Sequence, residues 1–147
     1  MHATTQHVIL YADDDQDDQQ LITQAFQQYD SNIKIQSVYN GEEALHYLNN
    51  LAINEQPPCL IILDINMPKM NGKEALVRIR QSERFRSLPV VLFSTSNSGL
   101  DKEFAKKWNA FFISKPITYA DLATIAEEFV KHCDFEVNRK FSFQKVS

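Results

Sequence analysis

Five short apolar runs recur along the chain, and they constrain the fold more than any other feature. They are HVILYA (7–12), IKIQSV (33–38), CLIIL (59–63), PVVLFS (89–94) and AFFIS (110–114). Their lengths and β-branched content predict strands. After each run the pattern changes from continuous to helical spacing. Leu21, Ile22, Ala25, Phe26 and Tyr29 form the first stripe, and Leu45, Leu48 and Leu51 the second. Ala75, Leu76 and Ile79 form the third, Leu100, Phe104 and Trp108 the fourth, and Leu122, Ile125, Ala126, Phe129 and Val130 the fifth. The order is therefore strand then helix, five times over. The central runs are nearly all apolar, as expected when helices cover both faces of a parallel sheet, whereas IKIQSV alternates like an edge strand.

Parallel strands need crossovers, and right-handed crossovers through helices give an α/β three-layer sandwich, the doubly wound flavodoxin-like class with a five-stranded parallel sheet. Local signals agree. Asn40-Gly41 and Asn71-Gly72 mark turns into helices, Asn109 suits a left-handed residue after the fourth helix, and Thr118 with Asp121 forms a capping pair before the fifth. A chain of 147 residues makes one domain of this kind. Residues 1–6 are expected to be an N-terminal extension, 7–132 the domain, and 133–147 a tail carrying Phe135, Phe141 and Phe143 with no room for an effector domain.

Composition narrows the function. A net charge of −4 argues against nucleic acid as a direct partner. No apolar run approaches the roughly 20 residues of a membrane span, and the N-terminus lacks an export signal, so the expected location is cytoplasmic. Cys59 and Cys133 show neither a disulfide framework nor metal-ligand spacing, and Cys59 reads as a core residue. His2, His7, His46 and His132 likewise show no ligand spacing.

In an open parallel sheet, ligands bind beyond the carboxyl ends of the strands. The first strand exits into Asp13, Asp14 and Asp15, the third at Asp64, the fourth at Ser94, Thr95 and Ser96, and the fifth at Lys115-Pro116. Asp15 or Asp17 can cap the first helix, but consecutive acids at a core strand exit exceed what capping needs. Carboxylates at 13, 14 and 64 on one edge repel one another unless a cation sits among them. A hard octahedral ion such as Mg²⁺, which completes its shell with phosphate oxygens, suits that donor set. Lys115 supplies a compact counter-charge, and Ser94 a hydroxyl for a phosphoryl oxygen.

At these residues the chain resembles the receiver domain of bacterial two-component response regulators. The resemblance spans residues 7–132 and rests on DD at 13 and 14, LDINMPKMNG around Asp64, the Ser94-Thr95 pair, and FFISKP ending in Lys115-Pro116. It implies that Asp64 accepts a phosphoryl group from a histidine kinase or a His-phosphotransfer protein. It also implies that Asp14, Asp64 and the backbone carbonyl of Asn66 hold Mg²⁺ (or Mn²⁺), with Asp13 acting through water. Ser94, Thr95 and Lys115 match the switch and phosphate-contacting positions, Pro116 a cis-proline candidate, and Phe112 the aromatic switch. Asn66 and Ser96 match positions that modulate the lifetime of the phosphoryl group. Ser stands where Thr is frequent at the switch, and Phe where Tyr is common at the aromatic.

The implied protein is a stand-alone switch, catalysing only its own phosphorylation and dephosphorylation and signalling through protein contacts. A homodimer through the fourth helix, fifth strand and fifth helix is expected. Two rivals share the fold class: a Mg²⁺-dependent phosphohydrolase with an Asp nucleophile, and a flavin-binding protein. The first normally carries DxD after its first strand, and the second needs a phosphate-cradling loop where this chain has acids.

Overall fold

The computed structural model describes residues 6–135, apart from the side chain of Tyr119. Phe141 and Phe143 of the expected tail lie outside the described residues. Five parallel strands, β1 (His7–Ala12), β2 (Ile33–Val38), β3 (Leu60–Asp64), β4 (Val90–Ser94) and β5 (Phe111–Ser114), form one sheet in the order β2-β1-β3-β4-β5. The helices are α1 (Gln16–Tyr29), α2 (Gly41–Asn49), α3 (Gly72–Gln81), α4 (Gly99–Lys107), α5 (Tyr119–Ala123) and α6 (Ala126–Val130). IKIQSV is an edge strand, as its alternation predicts.

Alternation along each strand splits the core into two layers. Leu10, Ile61, Leu63 and Leu92 face Ala44, Leu48, Leu76, Ile79 and Ala105 from α2, α3 and α4. Ile9, Tyr11, Ile62 and Phe93 face Ile22, Phe26, Leu122 and Phe129 from α1, α5 and α6. Both faces of the central strands are thereby buried, which explains the continuous apolar runs. Among the described residues no helix is long and apolar enough to cross a membrane.

Several local expectations hold. Asn71 and Glu74 form a reciprocal capping box on α3, Thr118 caps α5 through the Asp121 N–H, and Asn109 is left-handed at φ 54°. The last helical stripe differs from the single helix its spacing predicts. It breaks at Thr124 and Ile125, whose N–H groups bond three residues back, to Asp121 and Leu122. The Thr124 hydroxyl also donates to the Asp121 carbonyl, so a β-branched, back-bonding residue tightens the chain where the helix would continue.

Cys59 and Cys133, 74 positions apart, lie with their sulfurs 3.4 Å from each other as free thiols. Next to them the Asp134 N–H donates to the Cys59 carbonyl, and Phe135 packs edge-on against His7. The start of the tail is thus fastened to the amino-terminal end of the sheet, opposite the acid cluster.

Candidate functional site

Register brings the acids together. Ala12 pairs with Leu63 across β1 and β3, so the next residue on each strand, Asp13 and Asp64, leaves the sheet side by side. Asp64 pairs with Phe93 on β4, Ser94 pairs with Ser114 on β5, and the Lys115 N–H donates to the Ser94 carbonyl at 2.8 Å. Four adjacent strand ends therefore deliver three kinds of group to one edge, as the strand exits predict.

Asp13 is fully buried, Asp64 is 7% exposed and Asp14 is exposed; each offers a carboxylate oxygen within 4.8 Å of the others. The Lys115 ammonium lies 2.8 Å from Asp13, 3.0 Å from Asp18 and 3.6 Å from Asp64. Asp13 also accepts from the Tyr11 hydroxyl at 2.6 Å and from the Asp15 N–H at 3.0 Å. Asp15 itself is the N-cap of α1, accepting from the Asp17 and Asp18 N–H groups. The Gln19 side-chain amide donates to the carbonyls of Tyr11, Asp13 and Val38, which ties the loop carrying the acids to α1 and β2.

Electrostatics follow from this crowding. Burial pushes the Asp64 carboxyl up to about 7; the charges of Asp13 and Asp14 push the same way, while Lys115 and the Asn66 N–H pull down. Burial alone would lower the Lys115 ammonium, but bonding to Asp13, the charge of Asp64 and bonding to Asp18 raise it on balance. Burial and the neighbouring Asp13 also hold the Tyr11 phenol protonated as a donor. A hard divalent cation fits this donor set: three converging carboxylates outnumber the single ammonium, and all offer oxygen.

Without metal, the Asp64 value lies above the ordinary 3.8, so the folded state binds the extra proton between these limits. The Asp64 contribution to stability therefore falls as pH rises through that window and levels off above about 7. Asp64→Asn should stabilise the metal-free protein by about 1–2 kcal/mol at pH 8, and by less at pH 5. Thermal melts in EDTA at the two pH values check this. A gain independent of pH would contradict the account.

The remaining predicted residues divide. Ser94 is fully buried, its Oγ accepting from the Ser96 N–H, and Ser96 Oγ accepts in turn from the Ser98 N–H at the start of α4. Thr95 and Asn66 are exposed, and Phe112 is half-buried against the α2–α3–α4 layer. Pro116, the cis-proline candidate, is corrected: there is no cis peptide bond among the described residues. The bond before it is trans, the form an X–Pro bond favours by about 0.5–1 kcal/mol without a specific constraint.

Three contributors carry no distinguishing signal in the sequence. Tyr11 looks like any strand residue, and Asp18 like one more first-turn acid. Lys69, at φ 65° in a turn closed by Met70 N–H to the Pro68 carbonyl, has no side-chain signal for a left-handed conformation. That turn lets the Met70 carbonyl accept from the Gly41 N–H, joining the loop after β3 to α2. A separate groove of about 640 Å³ lined by Val38, Glu42, Tyr47 and Leu51 contains none of the site acids.

Comparison with known proteins agrees with this geometry. The sequence profile of the response regulator receiver domain matches residues 9–127. The "Probable methanogenesis regulatory protein FilR2" of Methanothrix harundinacea is 31% identical over 135 residues, covering 90% of this chain and 86% of that protein. The crystal structure of the phosphorylated cyanobacterial phytochrome response regulator RcpA superposes with a TM-score of 0.77 at 28% identity, over 84% of this chain and 90% of that one. The Mn²⁺-bound form of response regulator Rcp1 gives 0.74 at 25% identity, over 83% and 90%.

Proposed function

Because the chain belongs to the response regulator receiver domain family, we propose that it takes a phosphoryl group onto Asp64 from a phosphohistidine of a sensor kinase or His-phosphotransfer protein. The convergence of Asp13, Asp14 and Asp64, with the Lys115 ammonium beside Asp13 and Asp64, carries this reading. A carboxylate oxygen of Asp64 forms the new O–P bond as the donor's N–P bond breaks. The released electron pair stays on the imidazole nitrogen, which takes a solvent proton. Dephosphorylation reverses the gain: water attacks phosphorus, the O–P bond breaks, and inorganic phosphate leaves with the carboxylate restored.

Each residue has a part in that transfer. Asp14, Asp64 and the Asn66 carbonyl would hold Mg²⁺ or Mn²⁺, with Asp13 acting through water, and the ion supplies positive charge to the phosphoryl oxygens. Lys115 neutralises one of those oxygens. The Ser94 hydroxyl, which accepts from the Ser96 N–H, donates its own proton to a phosphoryl oxygen, and Thr95, next in the chain, remains at the mouth. Asn66 and Ser96 flank the leaving phosphate and bear on its lifetime. With Ser94 drawn inward, Phe112 repacks, and the state with phosphate bound gains population.

The output is a protein contact, and no small-molecule turnover is required. The surface of α4, β5 and α5 carries exposed Leu100 and Phe111 beside Lys102, Lys106 and Lys107, which suits a partner protein or a second copy of the chain. In solution, incubation with acetyl phosphate and Mg²⁺ should add a single adduct of about 80 Da, lost when the metal is chelated. Steady hydrolysis of small phosphate esters without an adduct would instead favour the phosphohydrolase reading.

A further inference from the structure

The Lys115 ammonium is held chiefly by two carboxylates, and only one of them lies among the three converging acids. Asp13, at 2.8 Å, is buried and fixed by Tyr11 and the Asp15 N–H. The other close partner, at 3.0 Å, is Asp18 in the first turn of α1, whose side chain is 21% exposed. Asp64, at 3.6 Å, is beyond hydrogen-bond distance. The ammonium is therefore held more closely to α1 than to the residue that would carry the phosphoryl group.

We infer that Asp18 is a positioning residue that restrains Lys115 and competes with the phosphoryl group for it. This rests on the reading of Asp64 as acceptor. A phosphoryl oxygen on Asp64 requires the ammonium to shift its bonding towards β3. Asp13 is fully enclosed and held in place by Tyr11 and the Asp15 N–H, whereas the partly exposed Asp18 can turn to water. Asp18 is thus the partner given up, and its attraction for Lys115 opposes the phosphorylated state. Acting through Lys115, it sets how strongly that state is favoured without touching the phosphate.

Beryllofluoride, which occupies a phosphoryl position on a carboxylate, is a suitable probe, titrated calorimetrically at saturating Mg²⁺. Asp18→Asn should bind it about three- to tenfold more tightly than wild type, and Asp18→Glu should return the affinity towards the wild-type value. In a Lys115→Met background the effect of Asp18→Asn should shrink below about twofold, because the competed group is gone. Lys115→Gln replaces Lys115→Met if the latter does not stay folded. An equal gain in the presence and absence of Lys115 would show simple charge repulsion and overturn the proposal. So would an unchanged or weaker affinity in Asp18→Asn, provided that wild type binds and Asp64→Asn does not. If wild type fails to bind, or Asp64→Asn binds equally well, the acceptor reading itself falls, and this inference with it.

Discussion

An alanine at Gly72 should destabilise the protein by about 3 kcal/mol and weaken Mg²⁺ binding in the same variant. The cause is a close approach, since Gly72 has an ordinary negative φ. A Cβ there would meet the Asp64 carbonyl oxygen at 2.2 Å, the Asp64 carbonyl carbon at 2.9 Å and the Ile65 Cα at 3.1 Å. These are backbone atoms, so no rotamer change relieves the clash; either α3 moves away from the sheet or the Asp64 peptide is pushed aside. Moving α3 strains the bond from the Gly72 N–H to the Ile65 carbonyl, whereas moving the peptide displaces the carboxylate from Asp13 and Asp14. Gly99 is the internal control. A Cβ there meets nothing within 4 Å, so Gly99→Ala should be neutral or stabilising by up to about 1 kcal/mol through the unfolded state. Urea denaturation of both variants decides the matter. A Gly72→Ala protein within about 0.5 kcal/mol of wild type would show that the β3 exit is not held this tightly.

Removing the site cation should have a comparable effect, conditional on metal. In Lys115→Met, Asp13 keeps only the Tyr11 hydroxyl and the Asp15 N–H, and three neighbouring acids lose their shared counter-charge. Removing one partner of a buried pair leaves an uncompensated charge, so a loss of about 2–4 kcal/mol is expected in EDTA at pH 8. Saturating Mg²⁺ should restore most of it, because a divalent ion replaces the missing positive charge and binds only the folded state. The gap between wild type and variant, measured by urea midpoint with and without Mg²⁺, is the observable. A loss of the same size in both conditions would mean that Lys115 acts through its ammonium over the Phe93 ring, whose centroid lies 5.4 Å away.

Much of this arrangement was legible in the sequence because it depends on periodicity and on strand ends. Nearly continuous apolar runs separated by helical stripes fix a parallel sheet, and in such a sheet Asp13, Asp64, Ser94 and Lys115 must emerge on one edge. Properties that depend on distant partners were not legible. Nothing near Cys59 signals that Cys133 lies against it, because that contact is set by where α6 ends. Tyr11 and Asp18 have sequence contexts indistinguishable from strand packing and helix capping, and their role appears only once Lys115 is placed between α1 and β1. The break at Thr124 was hidden for another reason: the apolar stripe continues across it while the backbone changes its hydrogen bonding. Pro116 shows the limit of resemblance, since a proline fixes its own φ but not the isomer of the bond before it.

If Asp64, and no other group at this edge, takes the phosphoryl group, borohydride reduction will mark it, since an acyl phosphate on aspartate is reduced to homoserine while free carboxylates are untouched. After incubation with acetyl phosphate and Mg²⁺, reduction and peptide mapping, homoserine is predicted only at position 64 and absent when metal is withheld. Homoserine at position 13 or 14, or a borohydride-resistant phosphate on Ser94 or Thr95, would contradict it.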